Sequence, residues 1–324
     1  MSKVIIGVDL GGTNLKIAIV TEDKKILVQG DCSTEAKAGP EVVMDQMEKL
    51  IKELLQSQDL SLANVLAAGF GIPGPLNWRT GVVYDPPNLE NWKDVPLGEE
   101  MNKRLGVPCF VDNDANVACY GEYWMGAGQG AKSIVVFTLG TGLGGGIVID
   151  GELLRGIDGT AAELGHLKVE RNGRLCGCES RGCLECYASV TGMLRTAKLD
   201  WDKAETSLKK VTGGDPNKLN GLMIYIAALE GDPFALKVYT ETAEWIGLGA
   251  ASMVNALNPE RLILCGAMSS GGDLLYDTVR KTMLENSFKV PGKRCQLLPP
   301  DLGNNAGVLG SAGCALARFQ TECA

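Results

Sequence analysis

Short apolar runs separated by amphipathic stretches recur along the whole chain. Apolar runs of the length and composition typical of buried strands occupy residues 4–8, 65–72, 107–111, 133–139 and 261–265. Helical spacing of apolar positions predicts helices over residues 41–56, 115–123, 234–257 and, with many small residues, 305–319. Such a regular exchange of strands and helices indicates the α/β class.

Two segments share the order strand, glycine turn, strand. In residues 4–20 the turn contains Gly11 and Gly12, whose N–H groups could hold phosphate oxygens together with the Thr13 hydroxyl. Asp9 stands where Mg²⁺ or its water would be held. An ordinary hairpin would explain this stretch equally well.

The second such segment, residues 133–149, has a glycine-rich turn over residues 140–146, which begins with Gly140-Thr141-Gly142, and a second strand over residues 147–149. It places Leu139 where the first segment has Leu10. Two hairpins of this kind, one in each half of the chain, suggest a duplicated domain with a nucleotide between the halves. The glycine spacing also satisfies the dinucleotide-binding pattern, but a strand follows where that pattern needs a helix, so we reject it. Later, the turn that begins at Gly266 could pass close to an adenine, although an ordinary strand-to-helix turn is equally plausible.

Residues 111–116 place four polar side chains where a strand ends and a helix begins. At this edge of an open α/β sheet, ligands bind. Asp112 or Asn113 can cap the first turn of the helix, and helix capping alone would account for all these side chains. Because this stretch occurs together with two glycine hairpins, we identify Asp114 as a candidate catalytic base.

Four cysteines, Cys176, Cys178, Cys183 and Cys186, lie within eleven residues, and the protein's one histidine, His166, precedes them. This spacing predicts a zinc site, with either the four cysteines or His166 and three of them as ligands. Four protein ligands would make the zinc structural. Its binding would fix the nearby side chains of Glu163 and Glu185 in place.

Composition limits the classes of partner. The 324 residues are 45% hydrophobic and 22% charged, with a formal net charge of -8, so neither nucleic acid nor an anionic membrane is expected as main partner. The uncharged stretch around residues 132–150 is too short and glycine-rich for a membrane helix. Eleven cysteines without an export signal favour reduced thiols in the cytoplasm.

Taken together, the motifs resemble the ROK family of sugar kinases and related repressors, most closely its bacterial glucokinase branch. The resemblance runs from Asp9 to about Ala317. It rests on Asp9-Leu-Gly-Gly-Thr13, Gly71-Ile-Pro-Gly-Pro75, Asn88-Leu-Glu-Asn-Trp92, Asn113-Asp-Ala-Asn116, Leu139-Gly-Thr-Gly142, Glu163-Leu-Gly-His166 and the cysteine cluster.

The resemblance implies the actin-like ATPase (ribonuclease H-like) fold, with two duplicated α/β domains and a cleft between them. Residues 1–116 would form a smaller domain, against which a helix over about 305–320 packs back. Residues 117–324 would form a larger domain that carries a zinc-binding loop at 163–186.

The resemblance also implies roles for individual residues. Asn113 and Asp114 would meet the sugar, with Asp114 taking the proton from the attacking hydroxyl. The other sugar-binding residues would be Gly74, Glu163, His166 and Glu185. ATP and Mg²⁺ would be held by Asp9, Gly11, Gly12, Thr13, Gly140, Thr141, Gly142 and Gly266. The zinc ligands would be His166, Cys176, Cys178 and Cys183.

The implied reaction is ATP-dependent phosphorylation of a hexose, most of all glucose, by a homodimer or homotetramer. N-acetylmannosamine, N-acetylglucosamine and fructose are alternative acceptors, and a sugar sensor without catalysis is the alternative of another class. Repressors of the family carry a DNA-binding segment before the first hairpin, for which Asp9 leaves no room here. Two residues beside the sugar site depart from the family: Ala162 stands where glycine is usual, and Glu179 stands where a small residue or glycine is usual.

Overall fold

The computed structural model describes residues 3–86 and 88–323. Its strands are β1 Val4–Leu10, β2 Asn14–Thr21, β3 Ile26–Ser33, β4 Val65–Ile72, β5 Leu76–Asn77, β6 Val82–Val83, β7 Cys109–Asn113, β8 Ser133–Leu139, β9 Leu143–Ile149, β10 Glu152–Leu153, β11 Arg261–Cys265 and β12 Gln296–Leu298. Its α-helices are α1 Pro40–Gln56, α2 Leu97–Leu105, α3 Asp114–Met125, α4 Glu185–Ala188, α5 Val190–Leu199, α6 Leu208–Thr212, α7 Gly221–Leu229, α8 Pro233–Leu257, α9 Gly272–Asn286, α10 Lys289–Arg294 and α11 Ala306–Glu322.

Two five-stranded sheets repeat one arrangement. The first has the order β3-β2-β1-β4-β7, in which β1, β2 and β3 are antiparallel and β4 and β7 continue in parallel with β1. The second has the order β10-β9-β8-β11-β12, with β8, β11 and β12 parallel. The glycine hairpins occupy corresponding places in the two sheets, as expected for a duplicated domain, and the α/β class is confirmed.

The chain divides into two compact units. The first comprises the described residues up to Ala131, Gly146–Ala162 and those from Asp301 onwards, and the second comprises Lys132–Gly145 and Glu163–Pro300. These bounds differ from the expected domains 1–116 and 117–324 because α3 packs on α11 and therefore counts with the first unit. The domain assignment itself stays a prediction.

Most predicted strands lie where the apolar runs placed them, and β4, β8 and β11 have the predicted bounds. The second glycine turn is shorter than expected, since β9 already begins at Leu143. The glycines at the start of β9 allow neighbouring residues to approach closely, since a Cβ on Gly146 would lie 2.4 Å from the Cβ of Cys119. The short parallel strand β12 follows the strand that the pattern indicated as the last.

The helix α11 lies unusually close to the first sheet and to α3. A Cβ on Gly7 would lie 2.0 Å from the carbonyl oxygen of Val308, and one on Gly69 would lie 1.9 Å from that of Ser311. On the helix itself, a Cβ on Gly310 would lie 1.7 Å from the carbonyl oxygen of Val117. The sheet and both helices therefore pack backbone against backbone, and only glycine fits at these contacts.

We expect Gly69→Ala to destabilise the protein, because the added methyl group meets the rigid carbonyl of Ser311. Overpacking of this kind typically costs about 1–3 kcal/mol. The matched control is Gly30→Ala on β3, where the new Cβ would meet the flexible side chains of Leu54 at 3.0 Å and Leu50 at 3.6 Å and no backbone atom at such close range. Thermal unfolding measures both variants, and an equal midpoint shift for the two would contradict this account of the contact.

Candidate active site

Four polar side chains at the junction of β7 and α3 differ in their exposure and in their hydrogen bonds. Asp112 and Asn116 are buried, whereas Asp114 is exposed. Asn113 caps α3, since its side-chain oxygen accepts from the backbone N–H groups of Ala115 and Asn116 at 2.9 and 3.4 Å. Of the two carboxylates in this stretch, that of Asp114 is therefore the one that a ligand can reach from solvent.

The first glycine hairpin brings a second carboxylate to the same unit. Asp9 is the penultimate residue of β1 and lies opposite Gly71 of β4. Its carboxylate lies against the start of α11, where a Cβ on Gly307 would be 2.5 Å from one oxygen. Burial and the neighbouring charge of Asp114 raise the pKa of Asp9 to about 6, against the opposing effect of Lys16. The two acids therefore repel each other, and a divalent cation nearby would relieve that repulsion.

The remaining predicted ligands of this unit surround the same hairpin and junction. The backbone N–H of Gly11 donates to the carbonyl of Asn14 at 2.9 Å. Gly12 passes close to Asn88, whose carbonyl oxygen would be 2.9 Å from an added Cβ. The carbonyl of Thr13 accepts from the N–H of Thr34 at 3.1 Å.

Gly74 lies beside the capping residue of α3. A Cβ on Gly74 would be 3.3 Å from the side-chain nitrogen of Asn113. The structure thus brings Gly74 and Asn113 together, and their role at a sugar site stays a prediction.

In the second unit, the turn Gly140–Gly142 is held from three sides. The N–H of Gly140 donates to the carbonyl of Gly142 at 3.0 Å, and the carbonyl of Gly140 accepts from Val190 at 3.0 Å. The N–H of Leu143 donates to Oε2 of Glu185 at 2.9 Å. Glu185 is thereby tied to the hairpin, a contact that the sequence pattern did not indicate.

The turn after β11 joins the same neighbourhood. Gly266 has φ +89°, and a Cβ there would lie 2.5 Å from the carbonyl oxygen of Leu139. Next to this turn is a cavity of about 460 Å³, lined mainly by apolar and aromatic side chains. Its lining includes Val190, Met193, Tyr225, Tyr239 and Met268.

The predicted metal ligands converge in the second unit. One ligand atom from each of His166, Cys176, Cys178 and Cys183 lies within 4.8 Å of all the others. Sγ of Cys176 is 3.7 Å from Nδ1 of His166. Sγ of Cys178 is likewise 3.7 Å from Sγ of Cys183. Ligand atoms of a tetrahedral zinc–thiolate site are separated by about 3.8 Å, so this donor set fits zinc.

Two further side chains lie next to the cluster without belonging to it. Sγ of Cys186 points instead to the carbonyl of Leu175 at 3.7 Å and is not part of the group. The ammonium of Lys168 lies 2.9 Å from Sγ of Cys183, where it would offset the thiolate charge of a metal-bound cluster. Glu163 is exposed and precedes the short 3₁₀ segment Leu164–His166, so it lies three residues before the predicted metal ligand His166.

The ROK family profile matches residues 5–318. The chain belongs to the ROK family. ROK kinases among its structural neighbours have the actin-like ATPase fold with two domains, so the predicted fold is confirmed.

This ROK family chain is similar to proteins of known sequence and structure over almost its full length. It is 37% identical over 308 residues to the glucokinase of Thermotoga maritima, which covers 95% of this chain and 96% of that protein. A Streptomyces griseus ROK glucokinase, solved in complex with glucose and AMPPNP, is 35% identical with TM-score 0.76, covering 97% of this chain and 99% of that one. A ROK hexokinase from Thermus thermophilus is 29% identical with TM-score 0.83, covering 98% and 99%. Among the described residues, no helix is both long and apolar enough for a transmembrane span.

We expect the purified protein to contain one zinc per chain by elemental mass spectrometry. Cys178→Ser removes a ligand and should lower that content to a small fraction, whereas the matched variant Cys186→Ser should retain the metal, because Cys186 lies outside the cluster. Equal loss of zinc in both variants would contradict the assignment, as would native protein without zinc.

We expect Asp9→Asn to stabilise the magnesium-free protein at pH 8 but not at pH 4. The pKa of Asp9 is about 6 in the folded protein and 3.8 ordinarily, so its ionisation lowers stability progressively as pH rises between these values. Removing the charge should raise the free energy of unfolding at pH 8 by roughly 1–3 kcal/mol.

Urea unfolding at the two pH values measures this effect. Asp31→Asn on the exposed side of β3 is the control and should behave like the native protein at both. A stability change in Asp9→Asn that is independent of pH would contradict the assigned cause.

Proposed function

We propose that this protein transfers the γ-phosphoryl group of ATP to a hexose, with glucose as the acceptor. The observation that carries the proposal is the exposed carboxylate of Asp114 beside the capping residue Asn113, in a chain similar over its length to glucokinases. The structural neighbour with glucose and AMPPNP bound supports the same pair of substrates.

Asp114 acts as the general base. It accepts the proton of the attacking hydroxyl while an oxygen lone pair forms the bond to the γ-phosphorus and the bond to the leaving ADP breaks. Asn113 and Gly74 lie on the same unit and contact the sugar. Glu163, His166 and Glu185 bind its other hydroxyl groups.

The nucleotide is held by backbone and by one acid. The N–H groups of Gly12 and Gly142, with the hydroxyls of Thr13 and Thr141, bind phosphate oxygens. Gly11 and Gly140, whose own N–H groups close the two turns, let the backbone approach the phosphates closely. Asp9 holds Mg²⁺ or one of its waters, a role supported by the repulsion between Asp9 and Asp114. The adenine lies in the apolar cavity beside the Gly266 turn.

Zinc has a structural role in this proposal. His166, Cys176, Cys178 and Cys183 bind it and leave no open position for a reacting water. A bound metal would fix the loop on which His166 and Glu185 stand. Nδ1 of His166 is the ring nitrogen that faces Sγ of Cys176, so Nε2 is the one that would contact a sugar hydroxyl.

We infer glucose as acceptor from the glucokinase relatives, and N-acetylmannosamine, N-acetylglucosamine and fructose are the alternatives to test beside it. Polyphosphate is the alternative donor. A sugar sensor without turnover is the second candidate function, but such a protein has no need of an exposed carboxylate at Asp114.

We expect Asp114→Asn to lower kcat for glucose phosphorylation by about 10²–10⁴-fold, since the amide cannot accept the proton. Glucose binding, measured by calorimetry, should remain within a few-fold of the native value because the side chain keeps its size. Asp31→Asn is the matched exposed control. If Asp114→Asn retains most of the native kcat, Asp114 is not the base.

A further inference from the structure

Three hydrogen bonds converge on the buried carboxylate of Asp112. Its Oδ1 accepts from the backbone N–H of Asn113 at 2.9 Å and from the side-chain amide of Asn116 at 3.2 Å. Its Oδ2 accepts from Nε of Arg155 at 2.6 Å. Asp112 therefore joins the end of β7, the first turn of α3 and the segment after β10.

These contacts hold the chain on both sides of Asp114. Asn113 precedes it and Asn116 follows within the same helical turn, and both are fixed by Asp112. The Asn113 side chain adds the cap on the same turn. The backbone of Asp114 therefore has its position set by the carboxylate two residues before it.

Arg155 makes this arrangement possible electrostatically. The side chains of Arg155 and Asp112 are only 12% and 7% exposed. A carboxylate buried this deeply without a cationic partner would be an uncompensated charge, which is strongly destabilising, and its hydrogen bonds would change. Arg155 is itself held with its guanidinium 4.8 Å from the ring centre of Trp78.

We propose that Arg155 is a positioning residue for phosphoryl transfer, which acts through Asp112 to fix the first turn of α3 and with it the direction of Asp114. The proposal rests on the proposed function, because Asp114 must act as base for its direction to matter. Arg155 itself touches neither the reacting hydroxyl nor the nucleotide in this scheme.

A double-mutant cycle in kcat tests the proposal. The native protein, Arg155→Gln, Asp114→Asn and the double variant are compared with glucose and Mg-ATP, with KM determined for both substrates. We expect Arg155→Gln to lower kcat by about 10- to 100-fold with KM values within about two-fold, as a small misplacement of a catalytic group does. In the Asp114→Asn background, the same substitution should change kcat by less than about two-fold, because no base remains to be positioned.

A merely structural role gives another pattern. If Arg155 only stabilises the fold, its replacement lowers kcat by the same factor in both backgrounds, and the proposal is overturned. A rise in KM at unchanged kcat overturns it as well. Failure of the proposed function is separate, since it shows as native kcat in Asp114→Asn alone.

Arg318→Gln is the matched control. Arg318 also stacks on Trp78, at 5.1 Å, and its side chain is likewise 12% exposed, but it pairs with Glu322. We expect its kcat to stay within about two-fold of native, and a loss as large as that of Arg155→Gln would overturn the proposal. Where Arg155→Gln does not fold, Arg155→Lys replaces it in the cycle, because lysine keeps the charge but loses the planar Nε donor, and the same non-additivity is expected.

Discussion

The close approach of α11 to the first sheet and to α3 is the constraint on which the first unit depends. Carbonyl groups of α11 occupy the space that a Cβ on Gly7 or Gly69 would need. On α11 itself, Gly310 lets the backbone of α3 approach closely. The start of the same helix lies against Asp9 at Gly307. One backbone packing arrangement therefore locates both the end of β1, with Asp9, and the helix that begins at Asp114.

That arrangement has an electrostatic consequence. Placing Asp9 in a half-buried position near Asp114 raises its pKa and makes the pair of acids unfavourable without a cation. Phosphoryl transfer needs charge neutralisation and positioning more than covalent chemistry from the protein. The repulsion between Asp9 and Asp114, which costs stability in the absence of metal, would therefore favour binding of a magnesium-bound nucleotide. The third acid of this region, Asp112, is paired with Arg155, so its charge is compensated within the protein.

Local patterns in the sequence predicted much of this molecule. Apolar runs located β4, β8 and β11, and the Asn113 cap and the cysteine cluster follow from residue type and spacing. Spacing alone could not exclude Cys186, because the direction of its thiol depends on how the loop folds. Nor could it find Arg155, whose partner Asp112 lies 43 residues away and carries no periodic signal. β3 and β12 were missed because their apolar runs, residues 26–28 and 297–298, are too short to stand out as strands.

Glucose phosphorylation is tested most directly by incubating the native protein with Mg-ATP and glucose and following both products by ³¹P NMR. We expect equal amounts of ADP and glucose 6-phosphate, with turnover on the order of 1–100 s⁻¹. Sugar binding by calorimetry without any phosphorylated product, for glucose and for the alternative hexoses alike, would contradict it and identify the protein as a sugar-binding relative that does not use ATP in this way.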